Sequence, residues 1–210
     1  MENYKKNLEL LTKNHVYSKE MEHDACGVGL IASTEGKKSR AIVEYGIEAL
    51  KAVWHRGAVD ADGKTGDGAG IHVEIPKDFF IEKIQVTGHD YDNSEICVGM
   101  IFLPRNDYSA QESCKTIVES ELTKNNFSIY GWRQVPVNSK VLGEKALQTM
   151  PEIIQVLFKP NDPNLLDKNL ERKIYETRKR IENKAFDASC LLYTSPSPRD
   201  QRGSRMPASA

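Results

Sequence analysis

An internal cysteine, Cys26, stands in the run His23-Asp24-Ala25-Cys26-Gly27-Val28-Gly29-Leu30-Ile31-Ala32. Small, flexible residues followed by an apolar strand-like run put its thiol at the start of a buried strand. Residues 1–25 read as a dispensable leader. They carry Lys5, Lys6 and Lys13, and their one apolar cluster, Leu8-Glu9-Leu10-Leu11, is too short for a secretory signal. Cleavage between Ala25 and Cys26 would make the cysteine the first residue of the mature chain. Its own α-amino group, with a pKa near ~8, would then stand beside the thiol as a base. The competing reading is a buried structural cysteine, because free cysteine is among the most buried residue types.

The next segment bears on that choice. From Arg40 to His55 the apolar residues Val43, Ile47, Leu50 and Trp54 recur at helical spacing, which predicts a helix with one face packed on a sheet. A dense turn follows, His55-Arg56-Gly57-Ala58-Val59-Asp60-Ala61-Asp62, and then Thr65-Gly66-Asp67-Gly68-Ala69-Gly70. Glycines so closely spaced let the backbone take positive φ and pass close to another group. A phosphate-cradling loop is one reading of this run. It lacks a Gly-Lys-Ser/Thr ending and precedes the strand-like Ile71-His72-Val73-Glu74-Ile75, whereas a phosphate site needs a helix N-terminus or a nest behind the glycines.

Composition narrows the classes. At 210 residues the chain has room for one good core and not for several domains. A formal net charge of −1 argues against a nucleic-acid partner, which would need a clustered basic face. No stretch approaches the ~20 apolar residues of a membrane span. The four cysteines, Cys26, Cys97, Cys114 and Cys190, form no Cys-x-x-Cys pair, which excludes a zinc ribbon or ferredoxin-type cluster here and suggests reduced thiols in a cytoplasmic compartment. Periodicity predicts strands at 26–32, 70–75, 96–103, 127–137 and 153–158, and helices at 40–54, 110–122 and 165–181. The charges of the last helix, among them Glu171, Arg172, Lys173, Glu176 and Arg178, read as a solvated face. Mixed strands and helices of this kind fit an α+β sandwich.

Taken together, Cys26-Gly27-Val28-Gly29-Leu30-Ile31-Ala32, His55-Arg56-Gly57-Ala58 with Asp62, and Thr65-Gly66-Asp67-Gly68-Ala69-Gly70-Ile71 leading to Pro76 and Phe79-Phe80 carry a resemblance. So do Gly131-Trp132-Arg133-Gln134-Val135-Pro136-Val137, Leu142-Gly143 and the apolar segment Pro151 to Phe158. In order and spacing, from about His23 to about Ser189, the sequence resembles the N-terminal glutaminase domain of glutamate synthase large subunits, a class II glutamine amidotransferase. The resemblance implies the four-layer αββα sandwich of the N-terminal-nucleophile hydrolases, incomplete at the C-terminus. It implies a leader at 1–25, a partial amidotransferase domain at 26–189 and a non-native or disordered tail at 190–210.

For activity, the resemblance implies glutamine hydrolysis to glutamate and ammonia, with Cys26 as the nucleophile, its α-amino group as the base and Arg56 in support. It implies no cofactor in this stretch. For the full-length enzyme it implies FMN, an iron–sulfur cluster, 2-oxoglutarate, an electron donor (NAD(P)H or ferredoxin) and a small partner subunit, in the cytoplasm or a plastid. In the family, an Asn-Gly pair forming the oxyanion hole and an Arg and Asp that clamp glutamine follow the matched region. No Asn-Gly dipeptide occurs in this sequence, and from Cys190 the chain turns to Tyr193-Thr194-Ser195-Pro196-Ser197-Pro198 where the family pattern continues with strand. This chain alone is therefore expected to be a poor glutaminase. The rival readings are a non-catalytic structural or channelling domain and another class II amidotransferase, such as a purine or amino-sugar enzyme.

The supporting residues keep bland alternatives. Arg56 could lower the Cys26 pKa or simply hold the turn by a salt bridge to Asp60, Asp62 or Asp67. His55 reads as a hydrogen-bonded structural histidine and Asp67 as an acceptor within its own glycine loop. Trp132, Cys97 and Cys114 read as core, the two thiols inert.

Overall fold

The computed structural model describes Lys6, Glu9, Leu10, Lys13, Gly57, Tyr193, Thr194 and the spans 27–54, 59–66 and 68–188. The chain divides into two units, one made of residues 1–59 with 66–72 and the other of residues 60–65 with 73–210.

The first unit contains helix α1, Arg40–Ala52, where the apolar spacing predicts it. Arg40 and Glu44 pair along its exposed side at 3.1 Å, an i,i+4 contact that adds a few tenths of a kcal/mol. Its apolar stripe is only half-covered. No residue of α1 is buried, Val43, Ile47 and Leu50 are intermediate, and Trp54 is 76% exposed; among the described residues of this unit there is no strand for the stripe to pack on. Ile71 touches the helix at Gly46, where a Cβ would lie 3.0 Å from its Cδ1.

Two predicted strands are absent. Residues 27–32 and 70–75 adopt no strand. Apolar, β-branched composition makes a run suitable for a sheet, but a strand exists only with a hydrogen-bonded neighbour. Among the described residues neither run has a ladder partner, and Val28, Leu30, Ile71 and Val73 stay exposed.

The second unit is built on a four-stranded antiparallel sheet. Its strands are β1, Cys97–Leu103, β2, Phe127–Gln134, β3, Glu152–Pro160, and β4, Tyr193–Thr194, in the order β2-β3-β1-β4. The register pairs Ile101 with Ile154, Gly99 with Val156 and Trp132 with Val156. β3 is central and buried almost continuously from Ile154 to Phe158, as expected of a strand covered on both faces.

Alternation along β3 sends Ile154, Val156 and Phe158 to one face and Leu157 to the other. On the first face, Cys97, Ile101, Leu103 and Phe127 join them against two helices, α3, Tyr108–Lys124, and α5, Asp167–Asp187. α3 contributes Cys114, Val118 and Leu122, and α5 contributes Leu170, Ile181 and Ala185. Asp107 caps α3 by accepting from the Ala110 amide at 2.9 Å. Glu121 on α3, whose side chain is 4% exposed, pairs with Lys184 on α5 at 2.5 Å. The Lys184 ammonium holds the Glu121 carboxyl below its ordinary range.

On the second face, α2, Lys77–Val86, places Phe80 and Ile84 against Ile96, Tyr130 and Leu157. A short helix α4, Glu144–Gln148, precedes β3.

β2 carries a bulge between Ile129 and Gly131. Gly131 takes φ +145, a region that side-chain-bearing residues avoid, and a Cβ there would meet Thr87 Cγ2 at 2.9 Å. The Thr87 hydroxyl in turn donates to the Tyr130 carbonyl at 2.8 Å, fastening the end of α2 to the bulge. Gly131→Ala is expected to destabilise this unit by about 1–3 kcal/mol through backbone strain and overpacking. Urea denaturation at equilibrium measures it; an unchanged midpoint would contradict the account.

Candidate active site

Cys26, His55, Arg56 and Asp67, which the sequence singles out, lie outside the described residues. Flanking positions are described. Gly57 donates its amide to the Trp54 carbonyl at 3.0 Å, closing the chain just after α1. Val59 and Gly66 form an antiparallel bridge.

In the second unit, residues 60–65 make a tight, self-bonded turn. The Asp60 amide donates to the Thr65 carbonyl at 2.7 Å, and Gly63, at φ +67, donates to the Asp60 carbonyl at 2.9 Å. Asp62 is its centre. Its Oδ1 accepts from the amides of Thr65 at 2.7 Å and Lys64 at 2.9 Å, and its Oδ2 accepts from the Thr65 hydroxyl at 2.5 Å. The Thr65 hydroxyl and these amides stabilise the anion and hold the Asp62 carboxyl far below the usual carboxylate range. Asp60 Oδ2 pairs with Lys145 at 2.6 Å, which lowers the Asp60 pKa and raises that of Lys145.

Gly143 lies against the same turn. A Cβ at Gly143 would overlap Thr65 Oγ1, Asp62 Oδ2 and the Thr65 amide nitrogen. The structure thus brings Asp62 together with Gly143, two residues the sequence links only by a shared resemblance. Lys145 is a partner that no sequence signal announced.

An open cleft of about 500 Å³ lies elsewhere in this unit, between the start of α3 and the ends of β2 and β3. Arg105, Tyr108, Trp132, Arg133 and Glu152 are among its walls. Its polar groups are largely engaged with their neighbours. Trp132 donates to Glu119 at 2.7 Å, Arg133 to Gln155 at 2.7 Å, and Gln134 to Glu152. Trp132 also packs partly against the core, in keeping with its structural reading.

Cys97 and Cys114 are 4% and 0% exposed. Burial pushes the Cys97 thiol up to about 12. Neither offers a thiolate ligand, and among the described residues no group of three or more His, Cys, Asp or Glu could hold a metal ion. Residues 71–76, which form no regular secondary structure, separate the glycine run from α2 at Lys77, so no helix begins directly after the run as a phosphate loop would require. Among the described residues no helix is long and apolar enough to cross a membrane.

Comparison with known families decides the kinship. The sequence model of the family "Glutamine amidotransferases class-II" matches residues 26–197, beginning on Cys26 itself. The chain belongs to the class-II glutamine amidotransferases. It is 52% identical over 179 residues to the glutamate synthase [NADPH] large chain of Azospirillum brasilense, covering 85% of this chain and 12% of that protein. It is 40% identical over 174 residues to the ferredoxin-dependent glutamate synthase of Pyropia yezoensis, covering 82% and 11%. With ferredoxin-dependent glutamate synthase 1, chloroplastic/mitochondrial, of Arabidopsis thaliana it shares 40% over 162 residues, covering 77% and 10%. The chain thus spans about a tenth of the length of these amidotransferase relatives.

The buried thiols of this amidotransferase sequence should be unreactive. At pH 8 a thiol with a pKa of about 12 is ionised to only ~1 part in 10⁴, and the thiolate is the nucleophile. Iodoacetamide is expected to leave Cys97 and Cys114 unlabelled in the native protein and to label both in urea, as read by peptide mass spectrometry. Native labelling of either would contradict their placement in the core.

Proposed function

We propose that this chain is the glutaminase part of a glutamate synthase, in which Cys26 becomes the N-terminal residue and hydrolyses glutamine through a thioester. The observation that carries the reading is a family match that starts on Cys26, joined to relatives that are glutamate synthases at 37–52% identity. The exposed apolar runs 27–32 and 70–75 support the complete domain as a four-layer αββα sandwich, because a second sheet would give them the ladder partners they lack here. The domain then begins at Cys26, after a leader of 1–25; Tyr193 and Thr194, which pair with β1 as β4, lie within the stretch 190–210 that the resemblance gives as a tail.

The chemistry is acyl transfer. The Cys26 sulfur attacks the side-chain amide carbon of glutamine, and the thiol proton passes to the free α-amino group of the same residue. That amine returns the proton to the departing nitrogen, ammonia leaves, and a thioester remains on Cys26. Water then cleaves the thioester, releasing glutamate and restoring the thiol. Arg56 supports the nucleophile by favouring its thiolate electrostatically. The chain on its own is a weak catalyst, because the sequence holds no Asn-Gly pair to serve as the oxyanion hole and each lost donor costs roughly 3 kcal/mol.

In the whole protein the ammonia condenses with 2-oxoglutarate with loss of water, and the resulting imine takes up two electrons, drawn from NAD(P)H or ferredoxin, and two protons to give a second glutamate. FMN and an iron–sulfur cluster supply that redox chemistry when bound. The described residues of this chain do not fit either group, since the two described thiols are core residues and the glycine run lacks a helix behind it. A small subunit is the expected protein partner, and the cytoplasm or a plastid the expected compartment.

Cys26→Ala in the full-length protein tests this. Glutamine-dependent glutamate formation should fall by on the order of 10³-fold or more, while synthesis from added ammonia persists. Loss of both activities together, or retention of the glutamine-dependent one, would contradict the role.

A further inference from the structure

The open cleft between the start of α3 and the ends of β2 and β3 keeps polar groups that its neighbours do not use. Register and alternation fix its floor: Trp132 and Gln134 on β2 lie beside Val156 and Ile154 on β3, and Glu152 shares their face of the sheet. α3 starts at Tyr108 and leaves the cleft open above them. Its volume, about 500 Å³, is that of a small-molecule site.

Three groups around it have capacity to spare. Arg105, in the turn between β1 and α3, has no side-chain hydrogen bond or ion pair among the described residues. Glu152 spends Oε1 on the Gln134 amide, and its Oε2 takes no partner among the described residues. Gln111, 8% exposed, donates its side-chain amide to the Pro104 and Arg105 carbonyls at 2.8 and 3.2 Å. A carbonyl can only accept, so these bonds fix the amide orientation and leave Gln111 Oε1 without a donor among the described residues. An unmade buried acceptor costs free energy that a ligand's donor recovers.

Arg105 and Glu152 are neighbours, because Leu103, two residues before Arg105, is the ladder partner of Glu152. No ion pair joins them. The remaining charges are settled elsewhere: Lys115 pairs with Glu112 at 2.8 Å, and Arg133 turns to Gln155 and the Phe79 ring. Trp132 spends its one N–H on Glu119, so it offers a ligand only ring surface, with Ile154 beside it. One unmatched cation, one half-used carboxylate and an apolar floor call for a ligand that carries both charges and a ring.

We propose that this cleft binds a free α-amino acid with an aromatic side chain. Arg105 takes the carboxylate, Glu152 and the Gln111 carbonyl take the ammonium, and the ring lies on Trp132 and Ile154. A plain anion would leave Glu152 facing it, and a plain cation would leave Arg105 unmatched. Glutamine, with an amide in place of a ring, gains little from this floor.

The test titrates L-phenylalanine into the full-length protein by saturation-transfer NMR. Saturable binding with a Kd of about 1 mM or tighter is expected for a ligand of this size. L-Glutamine, 3-phenylpropionate (no ammonium) and phenethylamine (no carboxylate) should each bind about 10-fold more weakly, the scale of a lost charged hydrogen bond. Arg105→Ala should weaken phenylalanine about 10-fold and remove its advantage over phenethylamine. Glu152→Gln, which keeps an acceptor for Gln134, should weaken phenylalanine and remove its advantage over 3-phenylpropionate. No saturation by about 20 mM phenylalanine would overturn the proposal. So would analogues or L-glutamine that bind as tightly as phenylalanine, or either variant leaving the phenylalanine affinity unchanged.

Discussion

Burial of β3 on both faces is the constraint on which the second unit depends. Ile154, Val156 and Phe158 meet the α3–α5 layer while Leu157 meets α2, so a single strand joins both hydrophobic clusters. Leu157 and Val156 are among the largest fully enclosed side chains, and truncating such a residue costs a few kcal/mol, about 2–5 for leucine. A shift of one residue in register would exchange the two faces and unseat both clusters. Close approach enforces the register: Gly99 opposes Val156, where a Cβ would come within 2.8 Å of its Cγ1.

That scaffold explains how distant segments come to hold one small turn. β2 and β3 are joined by the connection that carries Gly143, α4 and Lys145, so the pairing of the two strands brings that connection back to a fixed place. Asp60 and Asp62 then find Lys145 and Gly143 already positioned. Buried packing supplies the energy, and exposed polar contacts supply the placement.

Much of the fold was legible in the sequence. The 3.6-residue spacing of Val43, Ile47 and Leu50 gives α1, that of Cys114, Val118 and Leu122 gives α3, and β1, β2 and β3 fall on apolar runs of the right length. α2 was missed because only Phe80 and Ile84 are buried in it, an i,i+4 pair too sparse to declare a period. Strands at 26–32 and 70–75 were expected; the described residues of both runs, 27–32 and 70–75, form none because composition encodes suitability for a sheet without supplying the neighbour. At the site, Cys26 and Arg56 stand out through their local surroundings in the chain. Lys145 does not, because a pair separated by 85 residues leaves no local trace.

The account turns on whether Cys26 carries a free α-amino group when it acts. The most direct measurement is intact-mass and N-terminal peptide mass spectrometry on the mature, glutamine-hydrolysing full-length protein. The account predicts a chain that begins at Cys26, with residues 1–25 gone. A chain that still holds the Ala25–Cys26 peptide bond while turning over glutamine at an undiminished rate would contradict it.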